Sequence, residues 1–273
     1  MESKHLELFI ISDSVGETAR KVIEAVLSQF PDLETTIHHH PFIRTQEDLE
    51  KILQKAKKVN GIIIHTLVID DLSKYTEFFC RNENLRCYDI LHTLVTDISE
   101  LTKMTPTKRA GALHRLDDDY FNRINAIEFA VRYDDGKDPK GLLEADLVLL
   151  GISRTSKTPL SMYLANKNIR VANLPIVPEA NIPDELWKVN PKKIVGLTND
   201  VGVLRDFRRE RMLSYGLNAE TPYSNSERIE RELEFATNIY NKLDCFVINV
   251  AKRSIEETSQ IIIIEIPSLR PAE

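Results

Sequence analysis

Short apolar runs alternate with amphipathic stretches along this chain. Residues 6–11 are a mostly apolar run with the length of a buried strand. Asp13-Ser14-Val15-Gly16-Glu17 follows, and Val22, Ile23, Val26 and Phe30 then recur at helical spacing. Ser14 and Glu17 stand at capping-box spacing, so the turn reads as a capped helix start, with an anion site at a helix N-terminus as the alternative. Residues 35–43 predict a strand and 45–58 a charged amphipathic helix with Thr45 and Asp48 near its start. Residues 61–68 and 85–91 predict two more strands. Strands alternating with helices imply a mostly parallel sheet with helical crossovers.

A loop-like stretch, Thr105-Pro106-Thr107-Lys108, interrupts this rhythm. Beyond it Tyr120, Ile124, Ile127 and Val131 repeat at helical spacing. Asp117, Asp118 and Asp119 open that helix, where its dipole favours acidic residues, and Asp134-Asp135-Gly136 ends it. The strand–helix alternation then resumes. Strands are expected at 147–150, 171–177, 193–198 and 246–250. Helices are expected from Lys157, around Trp187, from Asn199-Asp200, from Ser224 to about Leu243, and from Ser254 with Glu257 as its cap partner. The fold expected is α/β, with mostly parallel sheets in two lobes: residues 1–105, a connecting helical segment 106–143, and residues 144–273.

Composition narrows the class. The chain has 273 residues, 42% of them apolar, enough for real cores. The net charge of −6 and a pI near 5.7 argue against nucleic acid as the main partner. Cys80, Cys87 and Cys245 are too few and too scattered for a disulfide framework or a zinc site, which suggests a reducing, cytoplasmic setting. The polar start of the chain lacks the pattern of a signal peptide, and no apolar run approaches a membrane span, so no membrane partner is expected. His38 and His40 fall on one face of their strand, but a third metal ligand is not evident nearby.

The candidate chemistry centres on residues 144–161. The apolar run Leu147-Val148-Leu149-Leu150 leads to Gly151-Ile152-Ser153-Arg154-Thr155-Ser156-Lys157-Thr158, and a helical pattern follows. Strand, loop and helix in that order make a phosphate-binding loop, in which backbone N–H groups and a helix N-terminus face an anion. Lys157 would reach the outer phosphates, and the Thr158 hydroxyl would face Mg²⁺. Ser156 departs from the pattern G-x-x-x-x-G-K-[ST], since its side chain disfavours a positive φ. The expected second lobe therefore carries the phosphate-binding loop. Arg205 with Arg208 or Arg209 has the spacing of a shared helix face, which suits either an oxyanion or a solvated surface paired with Asp206 and Glu210.

Four stretches together resemble the pyruvate, phosphate dikinase regulatory protein family, which includes the phosphoenolpyruvate synthase regulators. They are Ile11 to Ala19, His114-x-Leu116-Asp117 with the Tyr120 to Phe129 helix, Asp146 to Ala165, and Ser254 to Thr258. The resemblance implies a bifunctional cytoplasmic enzyme acting on pyruvate, phosphate dikinase. An ADP-dependent kinase reaction inactivates the target at a threonine, and a phosphate-dependent reaction releases pyrophosphate and reactivates it. It implies ADP and Mg²⁺, with inorganic phosphate as co-substrate, and a homodimer. The nucleotide would lie on Gly151, Ile152, Ser153, Arg154, Thr155, Ser156, Lys157 and Thr158, with Thr158 on the metal. Lys157, Arg154, Asp117 and His114 are the catalytic candidates, with Asp13 a further acidic one. The Ser-Lys-Thr form of the loop favours the dikinase over the synthase as target. A protein that senses ADP without catalysis is the alternative from another class.

Overall fold

The computed structural model describes residues 5–114 and 118–269, with only the backbone at His114 and Asp118. The chain divides into two compact units, Met1–Arg115 and Leu116–Glu273. Both are α/β, as the alternating pattern predicts.

The first unit runs β1 (His5–Ile11), α1 (Glu17–Leu27), β2 (Glu34–His40), α2 (Gln46–Lys58), β3 (Ile62–His65), α3 (Asp70–Asn82), β4 (Cys87–Asp89) and α4 (His92–Thr102). Its four strands are parallel, in the order β2-β1-β3-β4. Side chains alternate along each strand, so the two faces form separate cores. Leu8, Ile10 and Ile64 pack under α1 through Ala19 and Ile23. Phe9, Ile11 and Ile63 pack under α2 and α3 through Leu49, Leu53, Leu72 and Phe79.

The second unit runs α5 (Asp118–Arg132), α6 (Gly141–Glu144), β5 (Leu147–Gly151), α7 (Lys157–Ala165), β6 (Val171–Pro175), β7 (Ile194–Thr198), α8 (Val201–Ser214), α9 (Ser226–Leu243), β8 (Phe246–Asn249) and α10 (Ile255–Glu265). Its strands are also all parallel, in the corresponding order β6-β5-β7-β8. β5 is buried along its whole length. Leu147 and Leu149 face α7 and α10, while Val148 and Leu150 face α8 and α9. A strand covered on both faces must be continuously apolar, which is the run seen in the sequence.

Several expectations change at helix ends. Ser14 and Glu17 do not form a capping box, since Gly16 is the N-cap, at φ 80°, with no side-chain cap. Ser14 is instead used within the turn, its amide donating to Ser12 Oγ and its carbonyl accepting from the Phe42 amide. Asn225, not Ser224, caps α9 by accepting from the Arg228 amide, while Ser224 closes a short 3-10 turn with Thr221. Thr45 and Ser254 cap α2 and α10 as expected. Among the described residues no helix is long and apolar enough to cross a membrane.

Candidate functional site

The site begins where β5 ends. Gly151 has no room for a side chain: a Cβ there would collide with the Thr155 hydroxyl and sit 3.3 Å from the Leu197 carbonyl. The chain therefore turns tightly against β7 and leaves through residues 152–156 into α7. Thr155 is fully buried and donates to Ile152 O at 2.9 Å, which closes the loop on itself. Arg154 and Ser156 both lie in the left-handed region, at φ 77° and 63°. Ser156 thus adopts the backbone that glycine would hold in the strict pattern, and it is the N-cap of α7 without a side-chain cap. Leu160 donates to Ser156 O at 3.0 Å, so the amides of Lys157 and Thr158 precede the first helical bond, where helix N–H groups are left over.

Lys157 is buried and donates to Ile152 O at 3.2 Å. Burial pushes its ammonium down to about 8; nearby Asp135 and Asp134 oppose that fall and Arg208 adds to it. Thr158 donates to Asp134 Oδ1 at 2.8 Å. Asn173, a buried polar residue in the apolar strand β6, donates to the same oxygen at 2.7 Å and accepts from the Asp135 amide at 3.1 Å. Asp134 and Asp135 form a short 3-10 turn with Gly136, and Asp135 is left-handed at φ 53°. The residues expected only to end α5 therefore bring two carboxylates to the loop.

A second network braces the loop from behind. Arg208 is fully buried and donates to both oxygens of Glu232, at 2.6 and 3.3 Å. The same guanidinium donates to Ser153 O at 3.2 Å and Tyr223 O at 3.0 Å and lies over the Tyr223 ring. The Tyr223 hydroxyl meets Ser153 Oγ at 2.6 Å. Arg208 is thus a structural clamp, not a free cation on a shared face. Arg205 pairs with Asp206, and Arg209 with Glu220.

Loop, carboxylates and α8 enclose a cleft of about 1270 Å³. Asp134, Asp135, Ser153, Arg154, Ser156, Lys157 and Thr158 line it, together with Phe207 and Arg211 of α8 and its cap Tyr215. The structure thus places Ser153, Arg154, Ser156, Lys157 and Thr158 at one surface, with Gly151, Ile152 and Thr155 as the buried frame beneath. Arg154 Nε is buried without a partner. Asp117 and the side chain of His114 lie outside the described residues. Asp13 belongs to the first unit, where it accepts from the amides of Val68 and Ile69 at 2.7 and 3.0 Å. His38 bonds Glu7 at 2.6 Å and stacks on Phe9, and no cluster of three metal-ligating side chains occurs among the described residues.

Fold and cleft define a class: an α/β protein with a lysine-bearing loop at the point where strand order reverses in a parallel sheet, the usual ligand position in such sheets. Comparison with known proteins narrows it. A family model described as kinase/pyrophosphorylase matches residues 8–263. A Lactiplantibacillus plantarum protein is 53% identical over 257 residues, 94% of each chain. A Latilactobacillus sakei protein is 52% identical over 262 residues, 96% of this chain and 94% of its own, and a Lacticaseibacillus casei protein is 50% identical over 261 residues, 96% and 95%. All three carry the name of pyruvate, phosphate dikinase regulatory proteins. The chain belongs to this kinase/pyrophosphorylase family, and phosphotransferase activity in general comes with that membership.

Proposed function

We propose that the protein is an ADP-dependent serine/threonine kinase and phosphate-dependent phosphorylase that switches pyruvate, phosphate dikinase off and on. The observation that carries the reading is the buried Lys157 at the start of α7, next to the Thr158–Asp134 hydrogen bond and open to the cleft. In the forward reaction a threonine hydroxyl of the target attacks the β-phosphorus of ADP. The new P–O bond forms as the bond to the α-phosphate breaks, AMP leaves, and the hydroxyl proton passes to a base. In the other reaction inorganic phosphate attacks the phosphothreonine, leaving threonine and pyrophosphate.

Such transfers depend on positioning and charge neutralisation more than on covalent catalysis. Lys157 and the amides at the start of α7 face the transferring phosphate, and Arg154 adds a second cation from the loop. The oxygen donors Thr158 and Asp134 fit Mg²⁺, which takes one or two carboxylates and otherwise phosphates and water. Once bound there, Mg²⁺ supplies positive charge to the phosphate oxygens. Asp135, held by Asn173 through its backbone, is the carboxylate at the cleft suited to accept the threonine proton; Asp117 and His114 are the candidates that family resemblance suggests. Asp135→Asn, Asp117→Asn and His114→Asn separate them, since of the three only loss of the true base abolishes the reaction.

The test uses purified dikinase phosphorylated on its catalytic histidine, incubated with this protein, Mg²⁺ and ADP. Intact mass should show one added phosphate on threonine, with AMP formed in equal amount, and none with Lys157→Ala. Adding inorganic phosphate should then remove it and release pyrophosphate. An unmodified, active dikinase would sink the reading, and phosphoenolpyruvate synthase offered in parallel reports the alternative target. ADP binding without AMP formation on either target would leave a nucleotide sensor.

A further inference from the structure

Besides the loop, the cleft is lined by aromatic side chains from α8 and its cap. Leu204, Arg208, Arg211 and Tyr215 form one stripe along α8 and its C-terminal cap. Leu204 and Arg208 are buried, whereas Arg211 and Tyr215 lie further along the helix and line the cleft. Phe207 flanks the stripe and faces the same space. Phe207 is 52% exposed and Tyr215 61%, which leaves two large rings open beside a cationic loop. The Arg211 guanidinium lies 5.3 Å from the Tyr215 ring centre. Val177, beyond the end of β6, lines the cleft as well.

The spacing along α8 has a definite scale. Arg208 touches the loop at Ser153 O, 3.2 Å away. From position 208 to 215 the helix rises about 10 Å. That span is comparable with the ribose and base of a nucleotide whose phosphates sit on the loop. Exposed aromatic surface in a groove commonly marks a ligand site, and any nucleobase offers a π-face to such a wall.

We propose that Phe207 and Tyr215 form a nucleobase subsite, seating the heterocycle of a nucleoside diphosphate whose phosphates lie on residues 152–158. The subsite rests on the phosphate-loop reading and extends it. It makes α8 a bridge along the ligand: Arg208 steadies the loop, while Phe207 beside it and Tyr215 at the cap, about 12 Å further along the axis, wall the space the nucleoside occupies. An extended segment of the protein acceptor is the competing occupant of the same wall.

The experiment measures equilibrium binding of ADP and of pyrophosphate to the full chain and to Phe207→Ala, Tyr215→Ala, Phe207→Tyr and Lys157→Ala, with each melting temperature recorded. Phe207→Ala and Tyr215→Ala should each weaken ADP roughly tenfold and leave pyrophosphate within about twofold, whereas Phe207→Tyr keeps ADP affinity. Lys157→Ala should weaken both ligands. Wild-type protein that binds ADP no more tightly than pyrophosphate would overturn the subsite and leave the loop reading standing. Alanine variants that retain ADP affinity but raise KM for the protein acceptor would also overturn it and assign the wall to the acceptor. Wild-type protein that binds neither ligand would overturn the loop reading, and the subsite with it.

Discussion

Replacing Lys157 by Met should make the empty protein more stable. Lys157 is 6% exposed, and burial takes its ammonium from an ordinary 10.5 to about 8. At about 1.4 kcal/mol for each tenfold, that gap is a native-state cost of roughly 3 kcal/mol while the group is charged. The sign follows from proton binding. Between about pH 8 and 10.5 the unfolded chain holds the proton and the folded chain releases it, so stability rises with pH across that window. Below about pH 8 both states are charged and the whole cost is present. Methionine keeps the apolar stem and removes the charge. Ile152 O loses one donor but keeps the Thr155 hydroxyl at 2.9 Å, so little is left unpaired. A net gain of about 2 kcal/mol should raise Tm by roughly 4–8 °C.

The assay is thermal unfolding from pH 6.5 to 10, with and without ADP. Wild type should gain stability above about pH 8, and Lys157→Met should lack that rise. ADP at a hundred times its Kd should stabilise wild type by about 2.7 kcal/mol and the variant hardly at all. A variant that melts below wild type at pH 7, with the wild-type pH slope intact, would refute the idea of a buried charge held at a cost to stability. Gain of stability with loss of binding is the signature of a group kept for its ligand.

Further outcomes follow from the same contacts. Asp134→Asn keeps an acceptor for Thr158 and Asn173 but removes a negative neighbour of Lys157, so the pH-dependent rise in stability should begin below pH 8, as thermal unfolding across pH will show. Glu232→Gln leaves the buried Arg208 guanidinium uncompensated, and a loss of about 3–5 kcal/mol by denaturant unfolding is expected; a midpoint equal to wild type would refute the clamp. Gly151→Ala drives a methyl into Thr155 and should cost about 1–3 kcal/mol and ADP affinity together. Ser156→Gly removes a side chain from a left-handed position, and it should add a few tenths of a kcal/mol, up to about 1, with ADP binding retained.

The α/β class, the strand at β5 and the helix start at Lys157 were all legible because each is local. A continuous apolar run, a glycine and then helical spacing lie within twenty residues of one another. The carboxylates were not. Asp134 meets Thr158 and Asn173 from far along the chain, and helical periodicity says nothing about such approaches. One signal was present: Asn173 interrupts the apolar strand Val171-Ala172-Asn173-Leu174, and a buried amide there demands polar partners. Arg208 was misread for a similar reason. Its spacing from Arg205 and Arg209 suggests a charged face, yet it also stands four residues after the buried Leu204, on the core side of the helix. Glu232, which neutralises it, lies on another helix. The capping box failed because Ser14 and Glu17 have the right spacing while the backbone between them turns at Gly16.

The two units show how little of a site the backbone alone supplies. Both have the same parallel strand order, and in both the first strand runs into a helix whose N-cap is left-handed and lacks a side-chain cap: Gly16 before α1 and Ser156 before α7. The helix dipole is therefore equally available to an anion at each. What differs is the side chain that follows. α1 opens with Glu17, whose carboxylate already answers the dipole and pairs with Lys21, and the His39 ring lies against Gly16. α7 opens with Lys157, which adds positive charge to positive dipole and is buried with only a backbone carbonyl to bond. An arrangement that costs the empty protein stability is the kind an anion would complete, which is why the proposed function puts the ligand at the second turn and not the first. Exchanging the charge at α1 by Glu17→Lys tests that logic: position 17 is exposed, so the new lysine should stay in solvent and confer no ADP binding on the Lys157→Ala protein.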